Sequence, residues 1–113
     1  MQVPEFVSVE PEKLAAELSR RGLAWADAES AAQALEESRK SVLAQVMTRS
    51  NAEKVNEREM AALASETYRE HVSKMVEARR EANIAKVRYD TYKVYIELSR
   101  SKIATERVAM SMR

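Results

Sequence analysis

The chain has 113 residues with no cysteine, one glycine and two prolines, and 33% of the residues are charged around a formal net charge of only +1. Without cysteine there are no disulfides, thiolate zinc sites or cysteine nucleophiles, and a single glycine excludes a glycine-rich phosphate loop. The near-neutral balance separates the chain from disordered polyelectrolytes and generally basic proteins, and its abundance of Ala, Glu, Arg, Lys and Met predicts an all-α fold.

No stretch reaches the roughly 18 uninterrupted apolar residues that a bilayer span needs. Glu5, Glu10 and Glu12, with no basic region followed by an apolar one, predict no signal peptide. An intracellular protein with no membrane partner is expected. Residues 1–9, with Pro4 and the β-branched Val3, Val7 and Val9, predict an extended arm. Pro11 suits the first turn of a helix, Glu10 and Glu12 suit its positive end, and Leu14 and Leu18 share one face. Arg20 and Arg21 then precede Gly22, the residue type that ends helices in the left-handed conformation, so a short helix over about 11–21 is predicted.

A second helix is expected over about 27–63, capped by Asp27 and patterned by Ala28, Ala31, Leu35, Val42, Val46 and Met47. Ser50-Asn51-Ala52-Glu53 has the form of a capping box and marks a break near 50. Ser65 and Thr67 are both N-cap candidates, and Thr67-Tyr68-Arg69-Glu70 is itself a capping box. From there to Ala109 neither glycine nor proline occurs, which predicts a helix over about 66–110, roughly 65 Å long at about 1.5 Å per residue. The expected fold is a single all-α domain: a long antiparallel, coiled-coil-like helical hairpin, with the short first helix folded over one end, oligomerising through the long last helix.

Three stripes run along that last helix. Tyr68, Met75, Ala82, Tyr89, Ile96, Ile103 and Met110 recur every seventh residue as a positions, and His71, Ala78, Ala85, Tyr92, Ser99 and Glu106 follow as d positions. Met75, Ala78, Ala82, Ala85, Tyr89, Tyr92, Ile96 and Ile103 are therefore the expected intrachain seam, with the alanines allowing close approach. Roughly opposite lies a second register, Ile84, Val87, Thr91, Val94, Leu98, Ser101, Thr105 and Val108. A two-helix hairpin buries only one side of each helix. Ile84, Val87, Val94, Leu98 and Val108 are thus the expected oligomer interface, a dimer being the simplest assembly.

The third stripe is basic: Arg79, Lys86, Lys93, Arg100 and Arg107 occupy successive e positions. Residues 66–113 hold 11 basic against 7 acidic side chains, whereas residues 1–65 hold 8 against 11. The favoured reading pairs these cations with acids, since Glu29 and Glu36 share a heptad position and Asp90 and Glu97 lie within the same helix. In the alternative, the row follows the phosphates of a nucleic acid. Glu81, Asp90 and Glu97 dilute the charge that this alternative needs, and of Tyr89, Tyr92 and Tyr95, which could stack on bases, the first two sit in the seam.

Catalytic signals are absent. His71 is the sole histidine and has no companion with which to complete a metal set or a nucleophile–base pair. No carboxylate pair stands out for acid–base work. Trp25 is expected to anchor the junction between the first two helices. No enzyme activity, cofactor, metal or small-molecule substrate is expected. Action through protein–protein contacts is, with a second copy and with a partner protein that the residues do not identify.

The stretch Ala64–Met112 is similar in pattern to small, helical, largely uncharacterised bacteriophage proteins. In these an A-S-x-x-Y-x-x-H opening precedes an A-R-x-x-A run, an R-Y segment and a final R-S-x-x-A-T-x-R. The matching residues are Ser65, Tyr68, His71, Ala78, Arg79, Ala82, Arg88, Tyr89, Arg100, Ser101, Ala104, Thr105 and Arg107, while no proline follows Ser65. The resemblance covers less than half of the chain and brings no catalytic or binding residues. It implies a helper role near phage recombination and replication, in the cytoplasm of a bacterial host.

Overall fold

The computed structural model describes residues 10–112, and the arm expected over 1–9 lies outside them. Among the described residues there are four helices and no strand: α1 (Pro11–Glu37), α2 (Arg39–Thr48), α3 (Val55–Leu63) and α4 (Glu66–Ser111). None is long and apolar enough to cross a membrane. They belong to two units, Met1–Trp25 with Ile84–Arg113, and Ala26–Asn83, with α1 and α4 contributing to both.

In the first unit α1 lies antiparallel to α4. The guanidinium of Arg21 stands 4.7 Å from the centre of the Tyr92 ring, Trp25 meets Tyr89 with ring centroids 5.6 Å apart, and Lys86 lies 5.9 Å from the Trp25 ring. Leu14, Leu18, Arg21 and Trp25 on α1, at steps of four, three and four, are half-buried; so are Ala85, Tyr89, Tyr92 and Ile96 on α4, and Ser99 is buried. The antiparallel order follows from these pairs, because partners on α4 fall in number as those on α1 rise.

The short helix ending at Gly22 and the fresh start near Asp27 do not form; α1 runs through both as one 27-residue helix. Gly22 serves close approach instead of a left-handed cap. A Cβ placed there would stand 3.3 Å from Cε2 of Tyr89, tighter than an ordinary van der Waals contact. Glycine inside a helix costs about 1 kcal/mol relative to alanine. Here the Tyr89 ring lies close against the helix at Gly22, with the Trp25 ring centroid 5.6 Å from its own and the Lys93 ammonium 5.5 Å from its centre.

In the second unit the same spacing continues through Ala28, Ala32 and Leu35, with Tyr68, His71, Met75, Ala78 and Ala82 as the inward residues of α4. Ala32, Ala62 and Ala82 are buried, and no large side chain among the described residues is fully so. α1 and α2 are separated only by Ser38, which keeps helical backbone angles and donates its hydroxyl to Leu35 O at 3.1 Å. The same carbonyl faces His71 Nε2 at 2.8 Å. Two side chains on one carbonyl account for the irregularity there.

The break expected near 50 is present, but the capping box is not what makes it. Ser50 Oγ accepts the Ala52 N–H at 3.3 Å in a local turn, Arg58 Nε donates to Ala52 O, and α3 starts at Val55 after extended Lys54. α2 and α3 pack on each other. Between α3 and α4 only Ala64 and Ser65 intervene. Ser65, not Thr67, is the cap, its Oγ accepting the Tyr68 N–H at 3.2 Å and donating to Ala62 O at 2.6 Å.

Gly22→Leu is expected to lower stability by about 1–3 kcal/mol through overpacking against Tyr89. Thermal unfolding followed by circular dichroism at 222 nm reads it (the wavelength reports helix). Stabilisation by Gly22→Leu would show that helix propensity, not contact with Tyr89, governs this position.

Candidate functional site: the outer face of the last helix

The seam residues of α4 point at α1 within each unit, so the residues turned away from it can be placed. Within Ile84–Arg113 that outer face carries Ile84, Val87, Thr91, Val94, Leu98, Ser101, Thr105 and Val108, at alternating steps of three and four. Ile84 and Thr91 are half-buried. Val87 is 60% exposed, Val94 51%, Leu98 53% and Val108 57%. Single exposed apolar residues are ordinary; a row of them on one helix face is not.

Beyond Ser99 the inner seam opens as well. Ile103, expected among the packed seam residues, is 44% exposed and Met110 is 73% exposed. Every described residue of 100–112 is exposed. Among the described residues the physical reason is a shortage of partner: α1 begins at Pro11, and the pairing of Arg21 with Tyr92 places its first turn level with the last half-buried turn of α4.

The basic row divides into engaged and open members. In the second unit Arg79 forks to two acids of α1: Nη1 donates to Glu29 Oε1 at 2.8 Å, Nε to Glu36 Oε2 at 3.1 Å, and Nη2 to Glu36 Oε1. Its hydrogen bonds to Glu36 and Glu29 hold the guanidinium firmly protonated and lower both carboxyl pKa values. In the first unit Lys86 and Lys93 lie over Trp25 and Tyr89. Arg100 and Arg107 are exposed.

A second cluster of charge sits beside the seam. Arg20, Arg21, Ala24, Ala85 and Arg88 line an open notch of about 410 Å³. Hydrogen bonds from Arg20 and Arg21 depress the Glu17 pKa to about 2, so two of the three arginines share a local carboxylate. The geometry suits a solvated charged surface and offers no base for proton transfer. Among the described residues no group of three potential ligands could hold a metal ion. His71 spends its Nε2 on the Leu35 carbonyl.

Neither a family model nor a curated protein nor a solved structure matches this chain. The features available for a functional reading are therefore its own.

The Arg79 fork gives a signed pH dependence. Glu29 and Glu36 have folded pKa values below the ordinary 4.5, so the unfolded chain binds protons first as pH falls. Their stabilising contribution is complete above about pH 4.5 and is lost as pH drops through the lowered folded values. The melting temperature should fall more steeply between about pH 6 and pH 3 in the native chain than in Arg79→Gln. Parallel profiles for the two would show that the fork contributes nothing.

Proposed function

We propose that this protein is a non-catalytic helical assembly protein that associates with a second copy through the outer face of α4. In this reading the chain is a long antiparallel helical hairpin whose inner seam is satisfied internally as far as Ser99 and whose outer seam is the working surface. The observation that carries it is the exposed row Val87, Val94, Leu98 and Val108. Such a row is costly to hydrate, and a second helix with the same spacing removes it from water at about 25 cal/mol per Å². The likeness of residues 64–112 to small phage proteins supports a helper role in a phage-infected bacterium, exerted through protein–protein contacts.

Sedimentation velocity tests the reading directly. The native chain should sediment as a species larger than 12.8 kDa. Val94→Glu combined with Leu98→Glu should return it to monomer while the packed helices stay folded, because both residues are exposed. A native chain that stays monomeric well above micromolar concentration would overturn the assembly reading.

The nucleic-acid alternative is weaker in this geometry. Arg79 is committed to Glu29 and Glu36 of α1, Lys86 lies over Trp25 of α1, and Lys93 lies over Tyr89 of its own helix, so three of the five cations have local partners. Labelled single- and double-stranded DNA, titrated at several salt concentrations, should show no steep salt slope. A steep slope abolished by Arg100→Glu with Arg107→Glu would transfer the function to nucleic acid.

A further inference from the structure

We propose that the outer faces of two copies pair in parallel and in register, with Glu97 of each copy opposite Lys102 of the other. This rests on the assembly reading above and adds the direction of pairing, which the apolar row alone leaves open.

The outer face can be treated as a seam in its own right. Ile84, Thr91, Leu98 and Thr105 then occupy one core position, and Val87, Val94, Ser101 and Val108 the other, three residues on. The residues bordering this seam are Asp90, Glu97 and Ala104 on one side, and Arg88, Tyr95, Lys102 and Ala109 on the other. One border is acidic and the opposite border basic. Asp90, Glu97, Arg88 and Lys102 are all exposed, so their charges are available to a neighbour.

In a parallel pair each residue of the first border meets the residue five later on the second border of the other copy. Glu97 then faces Lys102, Ala104 faces Ala109, and Asp90 faces the uncharged Tyr95. No like charges meet, and by symmetry the Glu97–Lys102 pair forms twice. In an antiparallel pair each border meets itself instead. The antiparallel register that keeps the whole row from Ile84 to Val108 in the seam sets Glu97 against Glu97 and Arg88 against Lys102 of the other copy. Sliding by a heptad one way removes those repulsions but leaves Ile84 without an apolar partner and sets Leu98 against Ser101, and sliding the other way sets Asp90 against Glu97. Only the parallel arrangement uses the full row without a charge conflict.

Cysteine scanning reads the direction, since the native chain contains no cysteine. Val87→Cys and Thr105→Cys are made separately in the full chain and oxidised at equilibrium. Parallel, in-register pairing brings identical positions within the roughly 7 Å Cα separation that a disulfide tolerates, so each variant alone should form a covalent dimer. Antiparallel pairing in the full register predicts a disulfide only when the two variants are mixed, and that result would overturn the proposal. A dimer by sedimentation that cross-links in neither format places the interface elsewhere, which also overturns it while leaving assembly intact. A monomer by sedimentation is the separate result that defeats the assembly reading itself. As a charge test, Glu97→Lys should weaken dimerisation by about fivefold, and adding Lys102→Glu should restore it. Weakening without restoration would remove the Glu97–Lys102 pairing.

Discussion

Close approach of α1 and α4 is the constraint on which the rest depends. Where two helices meet with little above or below them, a large side chain has no place to be surrounded, and only small residues disappear from solvent. That is the pattern here: Ala32 on α1 and Ala82 on α4 are buried while the leucines, tryptophan and tyrosines of the seam are half-buried. Alanine and glycine let the backbones near one another, and the larger groups then lie across the joint instead of inside it. Gly22 under the Tyr89 ring shows the principle at a single position. The aromatic rings in turn gather cations, Arg21 over Tyr92, Lys86 over Trp25 and Lys93 over Tyr89, each worth about 0.5–1 kcal/mol where partly exposed. Charge that resembles a binding row when read alone is, in part, the outer wrapping of a thin seam.

Most of α4 was legible in the sequence because its signals agree: no helix breaker after Ser65, an apolar heptad, and capping residues at its start. The division of α1 was misread because one glycine was given a conformational meaning. The continuous spacing Leu14, Leu18, Arg21, Trp25, Ala28, Ala32, Leu35 runs straight through Gly22 and was the stronger signal, obscured by an arginine at a seam position. That arginine belongs there because its guanidinium covers Tyr92. Recognising it requires knowing the partner. The same limit explains why only part of α4's partner was anticipated: in the second unit α4 meets Glu29, Leu35 and Glu36, inside the segment expected over 27–63, whereas in the first unit it meets Arg21 and Trp25, which lie before it. Periodicity shows that a face is apolar and does not name what covers it.

The outer face illustrates the complementary case. Its spacing was readable, and the structure adds exposure, which turns an apolar pattern into an unmet need. The basic row shows the reverse: regular spacing suggested a ligand, and geometry found local partners for Arg79, Lys86 and Lys93. The acids Glu29 and Glu36 could be matched to Arg79 beforehand because they too are one heptad apart. Of the lysine–ring contacts, Lys93 over Tyr89 is an i,i+4 pair and equally readable, whereas Lys86 over Trp25 had no such numerical signature.

Residues 100–112 bring folding and assembly together. An isolated helix shorter than about 12–15 residues is marginal in water, because each added hydrogen bond barely offsets the entropy of ordering its residue. This stretch inherits a nucleus from the packed part of α4, so it avoids the cost of initiation, yet every described residue along it is exposed. Its helical order therefore draws mainly on propagation among the described residues, helped by Lys102, Ala104, Glu106, Arg107 and Ala109, all good helix formers. A second α4 aligned with the first would cover Val108 and the neighbouring turns and supply the missing term. Binding energy spent there would also be helix-ordering energy, since a ligand of the folded state stabilises that state by mass action. Assembly through this face would thus be coupled to order in the segment where the chain provides least support of its own.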